Sequence, residues 1–365
     1  MLDRLFLSKT FIFLSIFFTP YRFGRASLLN KTLASSIDSM SIPIEQACLY
    51  IEDTFNQKDL GFSEDIRNFV SGAKYQNEKL LGTGAFGFVF KTDFQNEKAA
   101  VKIIPKIQSN IYSIGEELYR WLTFSKNFPL DALDFLGCFH DLKHVYFLSN
   151  QMSGSLRQFS KERLIGKIES ISIEIYELMK RLAEIVHHAH QFGIVHHDIK
   201  PENFLYKELP DDNFPSKKRF DIRIIDFGFA RSVEEKRWFC GTAFFMPPEK
   251  FLFKDVGPLS DIYSLGVTFW DLLSGDVKIK RDCYNPKGFN SDSYVDIVFK
   301  MQDFFQETFN FSLLDDFHMF KESQNLPDMI FNMMAFEYKD RPSAIMVMQK
   351  FDQFSEQVKN DKPTI

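Results

Sequence analysis

The sequence has little cysteine. Its 365 residues include four, and these are widely scattered with no CxxC pair: Cys48, Cys138, Cys240 and Cys283. Zinc sites and the disulfide frameworks of small secreted domains need cysteines at close, regular spacing. Both are therefore disfavoured, and the expected compartment is a reducing one, cytoplasmic or nuclear.

The sequence also lacks a long apolar run and an excess of positive charge. The apolar stretch FIFLSIFF at residues 11–18 is too short to cross a bilayer. The formal net charge is -5, which gives no basic footprint for nucleic acid. We expect no stable membrane span, no nucleic-acid partner and a monomer.

Residues 1–39 leave three interpretations open. Basic residues precede the apolar stretch, as in a signal peptide, but no A-x-A cleavage site follows closely. Between Asp3 and Asp38 the segment has no acidic residue and several basic ones, which is also typical of mitochondrial targeting. The third interpretation is that translation starts at Met40. The sequence does not choose among them.

The rest of the chain is long enough for two lobes, since single hydrophobic cores stop growing near about 250–300 residues. Helical spacing of apolar residues predicts a helical extension over residues 40–73. Strand-like runs around one helix predict a small β-rich lobe at residues 74–150. A mainly helical lobe is expected at residues 153–352, followed by a tail at residues 353–365.

Within the helical part, apolar residues recur every three or four positions from Ile171 to Ala189. This pattern predicts a long helix that ends at Gly193. Two short strands are expected next, around FLY and DIRIID. The polar stretch KELPDDNFPSKKR between them, at residues 207–219, is interpreted as a surface loop.

The first chemical motif is GTGAFGFV, with Gly82, Gly84, Gly87 and Val89. Glycines let backbone amides approach phosphate oxygens closely. A lone GxGxxG is a weak signal, but no helix opens at the third glycine, as a dinucleotide site requires. Lys102 follows at the end of the run AAVK, where it suits a cation that holds phosphates.

The second motif is IVHHDIKPENFLY, followed by IIDFGFA. Phosphoryl transfer needs a carboxylate that orients the attacking hydroxyl and oxygen ligands that hold magnesium. Asp198, Asn203 and Asp226 supply such a set. With these motifs the chain resembles the eukaryotic protein kinase superfamily, serine/threonine type, over residues 74–352.

The resemblance implies an α+β, bilobal protein kinase fold, with a small β-rich N-lobe and a larger, mainly helical C-lobe. It implies ATP and Mg2+ as cofactors and serine or threonine of a protein as substrate. It makes Asp198 the catalytic base and gives Lys200 the role of neutralising the γ-phosphate, with Asn203 and Asp226 as magnesium ligands. The remaining implied nucleotide-binding residues are Gly82, Gly84, Gly87, Val89, Ala100, Lys102, Glu117, Asn150, Met152 and Leu205.

Two of these assignments rest on alternatives. Glu117 is preferred to its neighbour Glu116 as the partner of Lys102, because apolar residues follow it at helical spacing. The resemblance to kinases places Ser149 at the position that gates a pocket behind adenine. If the match to the family is shifted by one residue, Leu148 takes that position.

Other resemblances concern structure and regulation. Glu249 and Arg341 match an ion pair of the family, Asp261 matches the aspartate that braces the catalytic loop, and His196 and Phe227 match spine residues. Lys200 and Thr242 favour the serine/threonine class.

His197 replaces the arginine that normally anchors a phosphorylated activation segment, here defined as Asp226 to Glu249. Independence of segment phosphorylation is therefore expected. Glu202 suggests a preference for substrates with an upstream arginine. The rival interpretations are a pseudokinase scaffold and a small-molecule kinase, the latter of which usually lacks the activation segment.

Overall fold

The computed structural model describes eight stretches of the chain, which are residues 63–73, 79–84, 87–106, 111–160, 173–209, 219–235, 240–274 and 325–360. The predictions for residues 1–39, for most of the extension and for the end of the tail lie outside them. The chain divides into two compact units between Gln151 and Met152. In the described part, none of the helices has the length and apolar character needed to cross a membrane.

Unit 1 is built on a five-stranded antiparallel sheet with the order β1-β2-β3-β5-β4. Its elements are α1 (Glu64–Ser71), β1 (Leu80–Gly84), β2 (Gly87–Phe94), β3 (Glu97–Pro105), α2 (Ile111–Asn127), β4 (Phe135–His140) and β5 (His144–Asn150). Strand β4 was missing from the sequence prediction. It is short, and its alternation is interrupted by Gly137, next to which the register with β5 shifts.

The two faces of this sheet pack against different helices. Because side chains alternate along a strand, Val101 and Ile103 of β3 point to one face and Ile104 to the other. The first face forms a core cluster with Ile66 of α1. The second forms a cluster with Leu118 of α2. Unit 1 is therefore a sheet covered on both faces.

Helix α1 lies before the stretch that resembles kinases, yet it is part of the unit 1 core. Ile66 is 0% exposed, and the Phe69 ring lies 4.6 Å from that of Phe88 and 5.1 Å from that of Phe90. Gly72, at a φ of 76°, ends the helix, and its N–H donates to the Phe69 carbonyl. Helix α1 thus packs on strand β2, on the face of the sheet opposite α2.

We predict that a chain starting at Met40 stays soluble and folded, whereas one starting at residue 74 loses stability because it lacks α1. The point variant Ile66→Ala should cost about 2–5 kcal/mol of unfolding free energy, as for other buried isoleucines. Urea unfolding measures both effects, with exposed Glu64→Gln as the control. Equal stability of the two shortened chains would show that α1 is dispensable.

Unit 2 is mainly helical, with two small sheets ordered β6-β8-β9 and β10-β7. Its helices and strands are β6 (Gly154–Ser155), α3 (Leu156–Phe159), α4 (Ile173–Gln191), β7 (Ile194–Val195), β8 (Phe204–Leu209), β9 (Arg219–Ile224), β10 (Arg231–Ser232), α5 (Pro248–Phe251), α6 (Pro258–Ser274), α7 (Asn325–Met333) and α8 (Ala344–Asn360). Short 3-10 turns occur at Pro201–Asn203, Phe227–Phe229, Ala243–Phe245 and Tyr338–Asp340.

Helix α6 forms the centre of unit 2. It is apolar on most sides, and residues from Ile262 to Leu273 are almost completely buried. Helix α7 packs against it, while α8 packs against α4. Next to α6, Arg341 and Glu249 form the predicted ion pair as a buried, two-pronged contact of 2.8 and 2.7 Å. This pair ties the end of the activation segment to the helical core.

Three boundaries differ from the sequence prediction. Helix α4 ends at Gln191, and Gly193 follows at a φ of 80°. Strands β8 and β9 extend into the stretch interpreted as a loop, with Lys207 opposite Asp221 and Leu209 opposite Arg219. Ladder hydrogen bonds form between backbones and tolerate polar side chains, so composition alone marked the loop too early.

Candidate active site

Most of the nucleotide-binding residues predicted in unit 1 share one face of the sheet. In the antiparallel ladder Val89 lies opposite Lys102, and Ala100 lies opposite Ser149. Opposed residues project to the same face, and Ala100 and Lys102 are two apart on one strand. The face that packs on α2 therefore also carries these side chains, while Phe88 and Phe90 project to the α1 side.

Lys102 forms an ion pair with a carboxylate on α2. Its Nζ lies 2.6 Å from Oε1 of Glu117, and both side chains are largely buried. Glu116, the neighbouring glutamate, pairs with Arg120 at 3.2 Å along the helix. The Lys102–Glu117 pair holds an ammonium group at a fixed place on the sheet, where it can meet a phosphate.

The glycines of the first motif have different surroundings. A Cβ on Gly87 would lie 2.2 Å from the Ile103 carbonyl oxygen, so the close approach of β2 to β3 requires glycine there. At Gly82 a Cβ would meet no atom within 4 Å. Protein packing therefore explains Gly87, and it gives no reason for glycine at position 82, where a Cβ would enter open space. Gly84 pairs with Gly87 where the hairpin turns.

The sheet register separates the two candidates for the gate position. Leu148 is fully buried in the cluster on the α1 side. Ser149 is buried on the opposite face, across from Ala100 and on the side of Lys102. Of the two candidates, Ser149 is therefore the one on the Lys102 face, and Leu148 is on the opposite face. Asn150 ends β5, where its Nδ2 donates to Asp134 at 2.6 Å, and Met152 is the first residue of unit 2.

In unit 2 the carboxylate of Asp198 accepts hydrogen bonds from three residues. Lys200 Nζ donates to its Oδ2 at 2.7 Å, and Asn203 Nδ2 donates to the same oxygen at 3.0 Å. The N–H and Oγ1 of Thr242 both lie 2.8 Å from its Oδ1. Lys200 also donates to Thr242 Oγ1 at 2.6 Å. The predicted catalytic residues thus form one hydrogen-bonded cluster.

Of the predicted magnesium ligands, Asn203 belongs to this cluster, and its backbone carbonyl accepts from the N–H of Ile225, the residue before Asp226, at 2.9 Å. Because the Asn203 amide nitrogen faces Asp198, its side-chain carbonyl oxygen is the atom that can serve as a metal ligand. Asp226 precedes the Phe227–Phe229 turn in a left-handed conformation, with a φ of 67°. No cluster of three or more metal-binding side chains occurs in the described stretches. Magnesium commonly takes only one or two protein carboxylates or amides together with substrate phosphates, so this pair fits it.

A buried carboxylate braces the loop that carries Asp198. The oxygens of Asp261 accept from the backbone N–H groups of His196 at 2.7 Å and His197 at 2.8 Å. His190 Nε2 lies 3.1 Å from the same side chain. Burial opposes ionisation of Asp261, but the hydrogen bond and the charge of His190 hold its pKa below the ordinary value. Asp261 therefore fixes the loop as an anion.

His197 is neutral in this setting. It is 2% exposed, and neither ring nitrogen has a hydrogen-bond partner among the described residues. Burial first, and the charge of Lys250 second, lower the pKa of His197 to about 3. A neutral imidazole ring carries no positive charge, so it cannot replace arginine as an anchor for a phosphate.

His196 and Phe227 pack against each other beside this loop. The His196 ring lies 5.5 Å from that of Phe227, and its Nε2 is 3.2 Å from the Ile225 carbonyl oxygen. Leu205, half-buried on β8, lies opposite Ser155 and Arg223. These positions agree with packing roles for His196 and Phe227.

The sequence analysis missed several contacts of this site. Glu202 pairs with Arg157 at 2.7 Å, and Arg157 also contacts buried Asp271. An arginine of a substrate would therefore have to compete with Arg157 for Glu202. Lys250 was missed as well, although a lysine directly after PPE, in an apolar run, was a visible signal. Its Nζ donates to two backbone carbonyls, as described below.

We predict that His197 makes the protein sensitive to acid. Unfolded histidine has a pKa near about 6.5, so below that pH the unfolded chain binds a proton that the folded chain does not. Stability should fall between pH 6.5 and the folded pKa of about 3. The contribution is up to about 1.4 kcal/mol per pH unit. Urea unfolding from pH 7.5 to 5.5 should show a shallower loss in His197→Phe; parallel losses would contradict the assignment.

The sequence matches known proteins over most of this region. The family model of the protein kinase domain matches residues 75–351. A probable serine/threonine-protein kinase, fhkB of Dictyostelium discoideum, is 28% identical over 209 residues, which cover 54% of this chain and 17% of that protein. Calcium-dependent protein kinase 29 of Arabidopsis thaliana is 30% identical over 214 residues, covering 56% of this chain and 37% of that protein.

CDPK-related kinase 7 of Arabidopsis thaliana is 27% identical over 271 residues, which cover 70% of this chain and 43% of that protein. The chain thus spans less than half the length of each of these three relatives. The matched region covers parts of both units, including the five strands of the unit 1 sheet and the Asp198 cluster of unit 2, and it begins after α1.

Proposed function

The chain belongs to the protein kinase family, and on that premise we propose that it transfers the γ-phosphate of ATP to serine or threonine of a protein substrate. The observation that carries this proposal is the Asp198 cluster, in which one carboxylate is oriented by Lys200, Asn203 and Thr242. An oriented carboxylate next to a lysine is the arrangement that phosphoryl transfer to a hydroxyl requires.

In the proposed mechanism, Asp198 orients the attacking hydroxyl and accepts its proton. Lys200, which already contacts Asp198, neutralises charge on the transferred phosphate. Lys102, held by Glu117, binds the α- and β-phosphates, and Gly82 leaves room for their approach to the backbone. Asn203 and Asp226 would hold Mg2+, which supplies charge neutralisation of the phosphate oxygens when bound.

The adenine contacts belong to apolar residues. Val89 and Ala100 lie on the Lys102 face of the sheet in unit 1, and Leu205 lies on β8 in unit 2. Asn150 and Met152 would supply backbone hydrogen bonds to the base. The serine/threonine class is supported by the Lys200–Thr242 contact of 2.6 Å and by the names of the relatives.

We predict that Asp198→Asn and Lys102→Met each lower phosphorylation of a generic protein substrate by about 10²–10⁴-fold or more, while the protein stays folded. Both variants remove a charge that acts on the reacting groups. Exposed Lys98→Met, on the same strand as Lys102, is the control and should keep wild-type turnover. Near-wild-type turnover of either test variant, free of contaminating kinase, would refute its assigned role.

A second prediction concerns Ser149. Because its side chain is small and lies on the Lys102 face, the wild-type enzyme should accept ATP analogues with a bulky N6 substituent. Ser149→Phe should exclude these analogues but still use ATP, since it fills space and removes no contact with the nucleotide. Turnover with ATP and with one such analogue tests both enzymes, with Ser149→Ala as the control. Rejection of the analogue by the wild type would place the gate at another residue.

A further inference from the structure

Lys250 is a buried lysine that joins two backbone segments. It is the last but one residue of α5 and is 2% exposed. Its Nζ donates to the carbonyl oxygens of His197 and Cys240, each at 2.9 Å. The first carbonyl directly precedes Asp198, and the second lies two residues before Thr242. Lys250 therefore connects the catalytic loop to the activation segment.

The two segments meet closely at this point. A Cβ on Gly241 would lie 2.5 Å from the His197 carbonyl oxygen, and the φ of 108° at Gly241 also favours glycine. The next residue, Thr242, donates to Asp198 from both its N–H and its Oγ1. A shift of the segment away from the loop would therefore break the bonds that orient the Asp198 carboxylate.

Burial is the largest effect on the Lys250 ammonium group and lowers its pKa below the ordinary value, although the nearby carboxylates of Asp261, Asp198 and Glu249 act in the opposite direction. A buried carbonyl left without a donor is costly, so replacing Lys250 would leave the carbonyls of His197 and Cys240 without these two hydrogen bonds.

A phosphate on the activation segment of this chain is poorly placed to hold the segment against the catalytic loop. His197 is neutral and buried, as shown above. Between Asp226 and Thr242 the sequence has one other hydroxyl residue, Ser232. Ser232 lies opposite Ile194 in the β10-β7 pair, and its Oγ accepts from the N–H of Glu234 at 3.3 Å. A phosphate there would lie beside the carboxylates of Glu234 and Glu235, which would repel it.

We propose that Lys250 is a positioning residue that holds the activation segment against the catalytic loop, the role that the sequence resemblance gives to an arginine-anchored phosphate. This inference rests on the proposed kinase function. It makes the enzyme competent without phosphorylation of the segment. Lys250 acts through Thr242 and Asp198 and touches no substrate.

Steady-state kinetics of the full chain, after phosphatase treatment, test this role. The wild type and Ser232→Ala should keep kcat within about twofold of the untreated enzyme, because no phosphate supports the segment. Lys250→Met should lower kcat by about tenfold or more, since small displacements of catalytic groups are costly, while KM for ATP stays within about twofold. Lys254→Met, an exposed lysine next to α5, is the matched control and should behave as wild type.

Two variants keep the test decisive. If Lys250→Met fails to fold, Lys250→Leu, which also removes both donations, is judged by the same two criteria. The inference is overturned if kcat changes less than about twofold, or if KM for ATP rises in step with the loss of kcat. It is also overturned if phosphatase switches the wild type off and phosphorylation of Ser232 restores it. A wild type that transfers no phosphate to any peptide would overturn the proposed function, and this inference with it.

Discussion

Residues from separate segments of unit 2 donate hydrogen bonds to the carboxylate of Asp198, and the arrangement of those segments depends on it. Asp198 is 3% exposed, and a carboxylate so deeply buried is stable only when donors surround it. Those donors come from two parts of the chain, the catalytic loop with Lys200 and Asn203 and the activation segment with Thr242. The buried anion therefore forces the two segments to stay in contact.

The groups that support this contact are themselves buried. Asp261, on helix α6, accepts from the backbone of the catalytic loop. The Arg341–Glu249 pair fixes the end of the activation segment, and Ser260 adds a hydrogen bond to Glu249 at 2.7 Å. Buried ion pairs of this kind are costly to break, because a lone charge would remain without solvent. Their geometric function is to make the position of Thr242 depend on the helical core.

Candidate roles could be assigned from the sequence to residues whose spacing reflects local chemistry. Lys102, Asp198, Asn203 and Asp226 stand in short motifs, so each could be assigned a candidate role from the residue types around it. The choice between Leu148 and Ser149 needed the strand register, because a slip of one residue reverses the face.

Contacts between distant segments could not be predicted in this way. Nothing in the local sequence indicates that α1 packs on strand β2, or that Arg157 forms an ion pair with Glu202, 45 residues further along the chain. The role of Lys250 depends on two carbonyl groups, and backbone atoms carry no sequence signal. The same limit applies to β4 and to the ends of β8 and β9, where pairing between strands decides the boundaries.

Phosphoryl transfer by this chain can be tested directly by one measurement. The purified full chain is incubated with ATP labelled at the γ-phosphate, Mg2+ and a library of serine-, threonine- and tyrosine-containing peptides. We expect magnesium-dependent label on serine or threonine, with none on tyrosine. Binding of ATP without transfer to any peptide would contradict the proposed function and would identify the protein as a pseudokinase.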